Sequence, residues 1–213
     1  MTPRAIFCDF DGTISGGETF VRVLKTYAPD LAQDLIPKIQ SFEITLVEGV
    51  TRMLHSIPSS NWESIVSCCD DVPLRPGFAE LVHWSNINNI TFVVVSGGLQ
   101  AMIERKLGPL KDEVTAIHAV SIDASEKYLR VISPFSDDVE LVAKVRVMER
   151  YPATERVAIG DSTTDVRMAQ VAEHVFARDR LVTYLTERNV GFNAWGDFHD
   201  IRESLSQTWG LDA

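Results

Sequence analysis

The sequence predicts a doubly wound α/β fold, a mainly parallel sheet covered by helices on both faces, with a small helical domain spliced in after the first strand. Three observations carry this expectation. Short, nearly all-apolar runs alternate with amphipathic segments, as strands buried on both faces do. The first apolar run, RAIFCDF, starts at Arg4. From residue 18 to residue 71 the spacing is helical throughout, so the alternation stops and then resumes.

Each element follows in order. RAIFCDF is a buried strand closed by the turn residues DGT. ETFVRVLKTYAP, DLAQDLIPKIQ, TLVEGVTRMLHSI and SSNWESIVSCC are short amphipathic helices, broken at Pro29, Pro37 and Pro58. Ser60, three residues before Glu63, has the spacing of a capping box for the last of them. FAELVHWSNIN is a helix, ITFVVVS a β-branched strand ending at Ser96, and GGLQAMIERKLG a helix entered through two glycines. VTAIHAV and YLRVIS are strands, the second at an edge; DVELVAKVRVMERY is a helix. RVAIG is a strand, STTDVRMAQVA a helix and HVFAR the last strand, and LVTYLTERN and DFHDIRESLSQ are closing helices. The expected division is an α/β core of residues 1–13 and 77–213 and a helical cap of residues 14–76.

Composition narrows the function. The chain has 213 residues and a formal net charge of −10, a poor balance for a nucleic-acid partner. No stretch approaches the ~20 apolar residues of a membrane span. The first strand begins too early to leave room for a signal peptide, so a cytoplasmic location is expected. Cys8, Cys68 and Cys69 make neither a disulfide framework nor a zinc pattern and read as reduced thiols.

In an open parallel sheet, ligands bind at the carboxyl ends of the strands, near the point where strand order reverses. Here those ends carry Asp9 and Asp11, then Ser96 with Gly97 and Gly98, then Asp161. Asp165 follows Asp161 at helical spacing, and Lys144 lies on the preceding helix. Converging carboxylates need a cation, and hard oxygen donors select magnesium. A lysine and a hydroxyl beside exposed backbone N–H groups suit phosphate oxygens. Two carboxylates, one a nucleophile and the other an acid/base, then point to phosphoryl transfer through an aspartyl-phosphate.

The motifs DFDGT (residues 9–13), VVVSGG (residues 93–98), Lys144 and IGDSTTD (residues 159–165) resemble the four motifs of the haloacid dehalogenase superfamily, in the right order over nearly the whole chain. The resemblance implies a Rossmann-like core, Asp9 as nucleophile, Asp11 as the acid/base, and Ser96, Gly97 and Lys144 as phosphate ligands. It implies magnesium held by Asp9, Asp161 and the Asp11 carbonyl, with Asp165 in support. Thr13 matches the phosphatase branch. The inserted helices resemble the cap of phosphoserine-phosphatase-like members, in which Glu18 and Arg52 fall at positions that meet substrate. A narrower likeness, to methionine-salvage phosphatases, is carried by KTYAP, EGVTRMLHSIPSS, RPGF, GDSTTDV and VFARD, and departs between Ile122 and Ala143. The expected substrate is a small phosphorylated metabolite, such as the salvage ester, phosphoserine, phosphocholine, phosphoethanolamine or pyridoxal phosphate. A receiver-like phosphoacceptor module is the rival class; the length, the inserted helices and Asp11 argue against it.

Overall fold

The computed structural model describes residues 3–212. Its centre is β1 (Arg4–Cys8), whose neighbours are β2 (Thr91–Leu99) and β5 (Glu155–Gly160), both parallel to it. β3 (Ala116–Asp123) and antiparallel β4 (Arg130–Ile132) extend the sheet one way; β6 (His174–Ala177) and β7 (Asn193–Ala194) extend it the other. The order β4-β3-β2-β1-β5-β6-β7 reverses direction at β1, between β2 and β5. Cys8 pairs with Val94 on one side and Ile159 on the other. One residue further on, Asp9 therefore leaves the sheet level with Val95 of β2 and with Gly160, the last residue of β5.

Alternation along β1 sends its side chains to two separate cores. Phe7 joins Val93, Val95 and Ala158 on one face, together with Val23, Leu35 and Met53 from the helices that follow β1. Ile6 and Cys8 join Phe92, Val94 and Ile159 on the other. The helices after β1 are α1 (Thr19–Tyr27), α2 (Pro29–Gln40), α3 (Leu46–Leu54) and α4 (Trp62–Ser67). The chain crosses to them and back along adjacent paths. Ser15 bridges Leu74, Gly16 N donates to Pro73 O at 2.9 Å and Arg75 N to Ile14 O at 2.8 Å.

The remaining helices cover the sheet. α5 (Phe78–Ile87), α6 (Gln100–Leu107), α7 (Lys144–Met148), α8 (Val166–Val171), α9 (Asp179–Glu187) and α10 (Phe198–Trp209) alternate with the later strands. Phe78 of α5 packs edge-on against Phe92 (centroids 5.9 Å) and Phe198 of α10 (5.3 Å). Across the sheet edge, residues 55–59 pair with 127–131: Ser59 N donates to Lys127 O, Leu129 N to Ile57 O and Val131 N to His55 Nε2. Among the described residues no helix is long and apolar enough to cross a membrane.

Several elements differ from the sequence expectation, each for a physical reason. Pro37 does not break α2, which continues to Gln40, while Pro29 opens it at the first turn, where a missing N–H costs nothing. No capping box forms at Ser60; a single tight turn over Ser59–Asn61 precedes α4 instead. β2 does not end at Ser96. It bulges, with Val95 opposite His118 and Leu99 opposite Val120, so residues 96–98 stand off the ladder before α6 begins. The helix expected over residues 138–151 starts only at Lys144. Asp137 Oδ1 instead accepts from Val139 N and Glu140 N, and Leu141, Val142 and Ala143 are all buried, which no one-sided helix achieves for consecutive residues. β7 has two exposed residues and no apolar pattern to announce it.

Phe78→Ala should lower the unfolding free energy by about 3–5 kcal/mol in urea titration, because three rings lose their shared contact. Phe42, 86% exposed with φ of 60°, should tolerate Phe42→Gly with a change within about 1 kcal/mol and of stabilising sign. Equal losses at the two positions would contradict the packing described.

Candidate active site

Asp9 and Asp161 directly follow the ends of β1 and β5, Ser96 sits in the bulge of β2 between Val95 and Leu99, and the fold buries all of them (4%, 6% and 1% exposed). Lys144, only 2% exposed, reaches them from the first turn of α7. Its Nζ donates to Asp9 Oδ1 and to Asp165 Oδ1, each at 2.5 Å. The late start of α7 is what points it inward. Asp165 Oδ2 also accepts from the backbone N–H groups of Asp161 and Ser162 at 3.0 Å. Both Asp165 oxygens are thus engaged, and the residue fixes Lys144 and the Asp161 turn together.

The turn after β1 is built around Gly12. Its φ of 74° is left-handed, and a Cβ there would overlap the Asp161 carboxylate. Thr13 Oγ1 donates to Asp161 Oδ1 at 3.3 Å. Asp11 turns the opposite way from Asp9. Its Oδ1 accepts from Thr19 N at 2.6 Å and Thr19 Oγ1 at 2.5 Å. Gly98 makes room on that side: a Cβ would stand 2.9 Å from Asp11 Oδ2 and 3.3 Å from Ser96 Oγ. Gly97 faces open space.

Oxygens of Asp9, Asp161 and Asp165 lie within 4.8 Å of one another. Three buried carboxylates and one ammonium leave two formal negative charges, the complement of a divalent cation, and the donors are hard oxygens. Without a cation, burial raises Asp9 well above the carboxylate range, with Lys144 opposing the shift. Burial, then the Asp165 charge, pushes Asp161 up to about 7. Burial pushes Asp11 up to about 6 against the Thr19 donors. Lys144 is held above its ordinary value; burial opposes this, and the Asp165 and Asp9 charges outweigh it.

The structure thus brings together Asp9, Asp11, Ser96, Gly97, Lys144, Asp161 and Asp165. Glu18 lies exposed on the rim of a cleft of about 300 Å³ that Asp161 and Gly12 also line. Arg52 is not brought there. It lies exposed on α3, one helical turn from Glu48 and paired with it at 3.4 Å. Sequence reasoning missed two supports. Arg75 donates to Thr13 O at 2.9 Å and Gly12 O at 2.8 Å, pinning the turn. Thr19, beside the Glu18 that drew attention, is the residue that holds Asp11. A polar residue opening a helix was the available signal for Thr19; an isolated arginine among prolines gave none for Arg75.

The sequence pattern of the haloacid dehalogenase-like hydrolases matches residues 6–170. The chain belongs to that family. This hydrolase is 43% identical over 204 residues to a Microcystis aeruginosa protein named 2-hydroxy-3-keto-5-methylthiopentenyl-1-phosphate phosphatase, covering 95% of this chain and 97% of that one. It is 31% identical over 208 residues to a Bacillus cereus protein of the same name, covering 94% of each. Among solved structures it shares the fold of a phosphoserine phosphatase from T. onnurineus, with a TM-score of 0.73 and 18% identity over 100% of this chain and 96% of that one. The haloacid dehalogenase-like hydrolase described here is a phosphatase, not a receiver module.

The raised carboxylates set a sign for pH. In metal-free protein, Asp161 near 7 still holds protons that the unfolded chain, at 3.8, has released. The folded state binds more protons in that window, so this contribution to stability falls as pH rises from about 4 to 7. Asp161→Asn removes the titration. In EDTA, its melting temperature relative to wild type should rise between about pH 5 and pH 8; a flat difference would contradict the burial assigned to Asp161.

Proposed function

We propose that this phosphatase hydrolyses a small phosphate monoester through a phosphoryl group carried on Asp9, and that its substrate is 2-hydroxy-3-keto-5-methylthiopentenyl-1-phosphate. The observation that carries the chemistry is the buried cluster of Asp9, Asp161 and Asp165 around one ammonium, with its two uncompensated charges. The substrate follows from the name shared by relatives that align over nearly the whole chain.

In this reading Asp9 attacks phosphorus and the ester oxygen leaves. Asp11, turned toward Thr19 and raised to about 6, keeps a protonated fraction close to neutral pH and can both give and take a proton there. It gives that proton to the leaving oxygen and then accepts one from the water that attacks the phospho-Asp9. Lys144 has three donors; two are spent on Asp9 and Asp165, leaving one for a phosphate oxygen. Ser96 Oγ and the Gly97 N–H, lifted off the ladder by the bulge, supply the others. Asp9, Asp161 and the Asp11 carbonyl would hold magnesium, which supplies charge neutralisation at phosphate. Asp165 acts as a support, since its oxygens already accept three N–H groups.

We assign residues 14–76 as a cap that selects the leaving group and keeps bulk water from the phospho-enzyme. Its packing on the Phe7 face of the sheet supports this role. No membrane or nucleic-acid partner enters the reading, and a cytoplasmic location fits a metabolic substrate.

Asp9→Asn should lower kcat at least about a thousandfold with the fold intact by circular dichroism. Thorough chelation should silence the wild type, and magnesium should restore it; turnover that survives either change would sink the mechanism. In a panel of the salvage ester, phosphoserine, phosphocholine, phosphoethanolamine and pyridoxal phosphate, the salvage ester should give the highest kcat/KM. Preference for phosphoserine would replace the substrate while leaving the chemistry in place.

A further inference from the structure

We infer that Arg180 is a specificity residue, its guanidinium gripping the paired oxygens of an α-hydroxy-ketone leaving group; the inference rests on the substrate reading above and deepens it. The cleft over Asp161 is lined by Gly12 and Glu18 and by three arginines, Arg75, Arg178 and Arg180. Glu18, Asp161 and Asp179 on the same lining balance their charge. Two of the three are committed. Arg75 holds the Gly12 and Thr13 carbonyls. Arg178 donates to Gly196 O at 3.0 Å and Asp179 Oδ2 at 2.8 Å, and lies over the Trp195 ring. Arg180 has no hydrogen bond or ion pair among the described residues, and it is exposed on the cleft.

Its backbone is nonetheless fixed to the site. Arg178 N donates to Gly160 O at 3.3 Å, and Leu181 N donates to Asp161 O at 2.7 Å. The segment carrying Arg180 is therefore tied on both sides to the strand end that presents Asp161. Asp179 between these ties has a left-handed φ of 46°, a conformation that aspartate tolerates better than most residues.

The phosphate has its own ligands in Ser96, Gly97 and Lys144. The cleft that Arg180 lines reaches Gly12 and Asp161 but none of those phosphate ligands, so its free guanidinium is left for the rest of the substrate. A 2-hydroxy-3-keto group places two oxygens on adjacent carbons, an acceptor pair that a planar fork can address with two N–H groups. A carboxylate also fits such a fork, but Glu18 and Asp179 line the same cleft and disfavour a second anion there. A neutral oxygen pair is the better match.

The test compares wild type, Arg180→Ala and Arg180→Lys on the salvage ester, phosphoserine and p-nitrophenyl phosphate, at low and high salt. Arg180→Ala should reduce the preference for the salvage ester over p-nitrophenyl phosphate, as a ratio of kcat/KM values, by roughly tenfold or more. The loss should fall mainly on KM. Arg180→Lys, which keeps the charge and loses the fork, should not restore the preference. Three results overturn the inference: an equal loss on all esters that salt abolishes, which makes Arg180 an electrostatic guide only; a loss greatest on phosphoserine; or an unchanged preference. A wild type that ignores the salvage ester overturns the substrate reading, and this inference with it. A wild type that prefers the ester, with an Arg180→Ala variant that keeps that preference, overturns the inference alone.

Discussion

The buried ammonium of Lys144 is the contact on which the rest of the site depends. It stands 2.5 Å from both Asp9 and Asp165, with all three side chains nearly removed from water. Removing one partner from such a group costs about 3–5 kcal/mol, because the remaining charges stay buried. That is a large part of the ~5–15 kcal/mol that keeps a domain folded. Lys144 also joins parts of the chain that are otherwise distant: the end of β1, the start of α7 and the turn after β5. Asp165 extends the connection through the Asp161 and Ser162 N–H groups. The same contact sets one ammonium among three buried carboxylates, those of Asp9, Asp161 and Asp165.

Much of this was legible in the sequence because it depends on local rules. Apolar β-branched runs gave the strands, and the position of Asp9 and Asp161 just past their ends followed from a parallel sheet. What was not legible depends on tertiary competition. The periodicity of residues 138–151 favours a helix, yet burial of residues 141–143 and the Asp137 turn win, and Lys144 points inward as a result. The bulge in β2 has glycines as its only trace, and these read equally well as a helix start. Arg52 has the residue type and the region expected of a substrate contact, but its helix face turns it toward Glu48 and solvent. Pairing between residues 55–59 and 127–131 joins segments with no shared sequence signal.

Charge is distributed unevenly between the rim and the floor of the cleft. The floor is acidic and buried, built from strand ends. The rim carries arginines, two of which hold backbone carbonyls, so their charge arrives together with structural duties. Two of the three guanidiniums are held at this opening by specific hydrogen bonds, and Glu18, Asp161 and Asp179 balance the charge of all three.

Arg75 occupies an unusual place in this scheme. Its backbone belongs to the returning path from the helices that follow β1, since its N–H bonds Ile14 O, while its side chain holds the Gly12 and Thr13 carbonyls of the turn after β1. The seam between helical insert and core is thus not where the helices begin and end. An exchange of inserts between relatives that cut at residues 14 and 76 would carry Arg75 away with the donor piece. Cutting between residues 17 and 72 leaves it with the core. The transferable module is shorter than the run of sequence that looks inserted, and its natural joints lie inside the paired crossing, not at its outer edge.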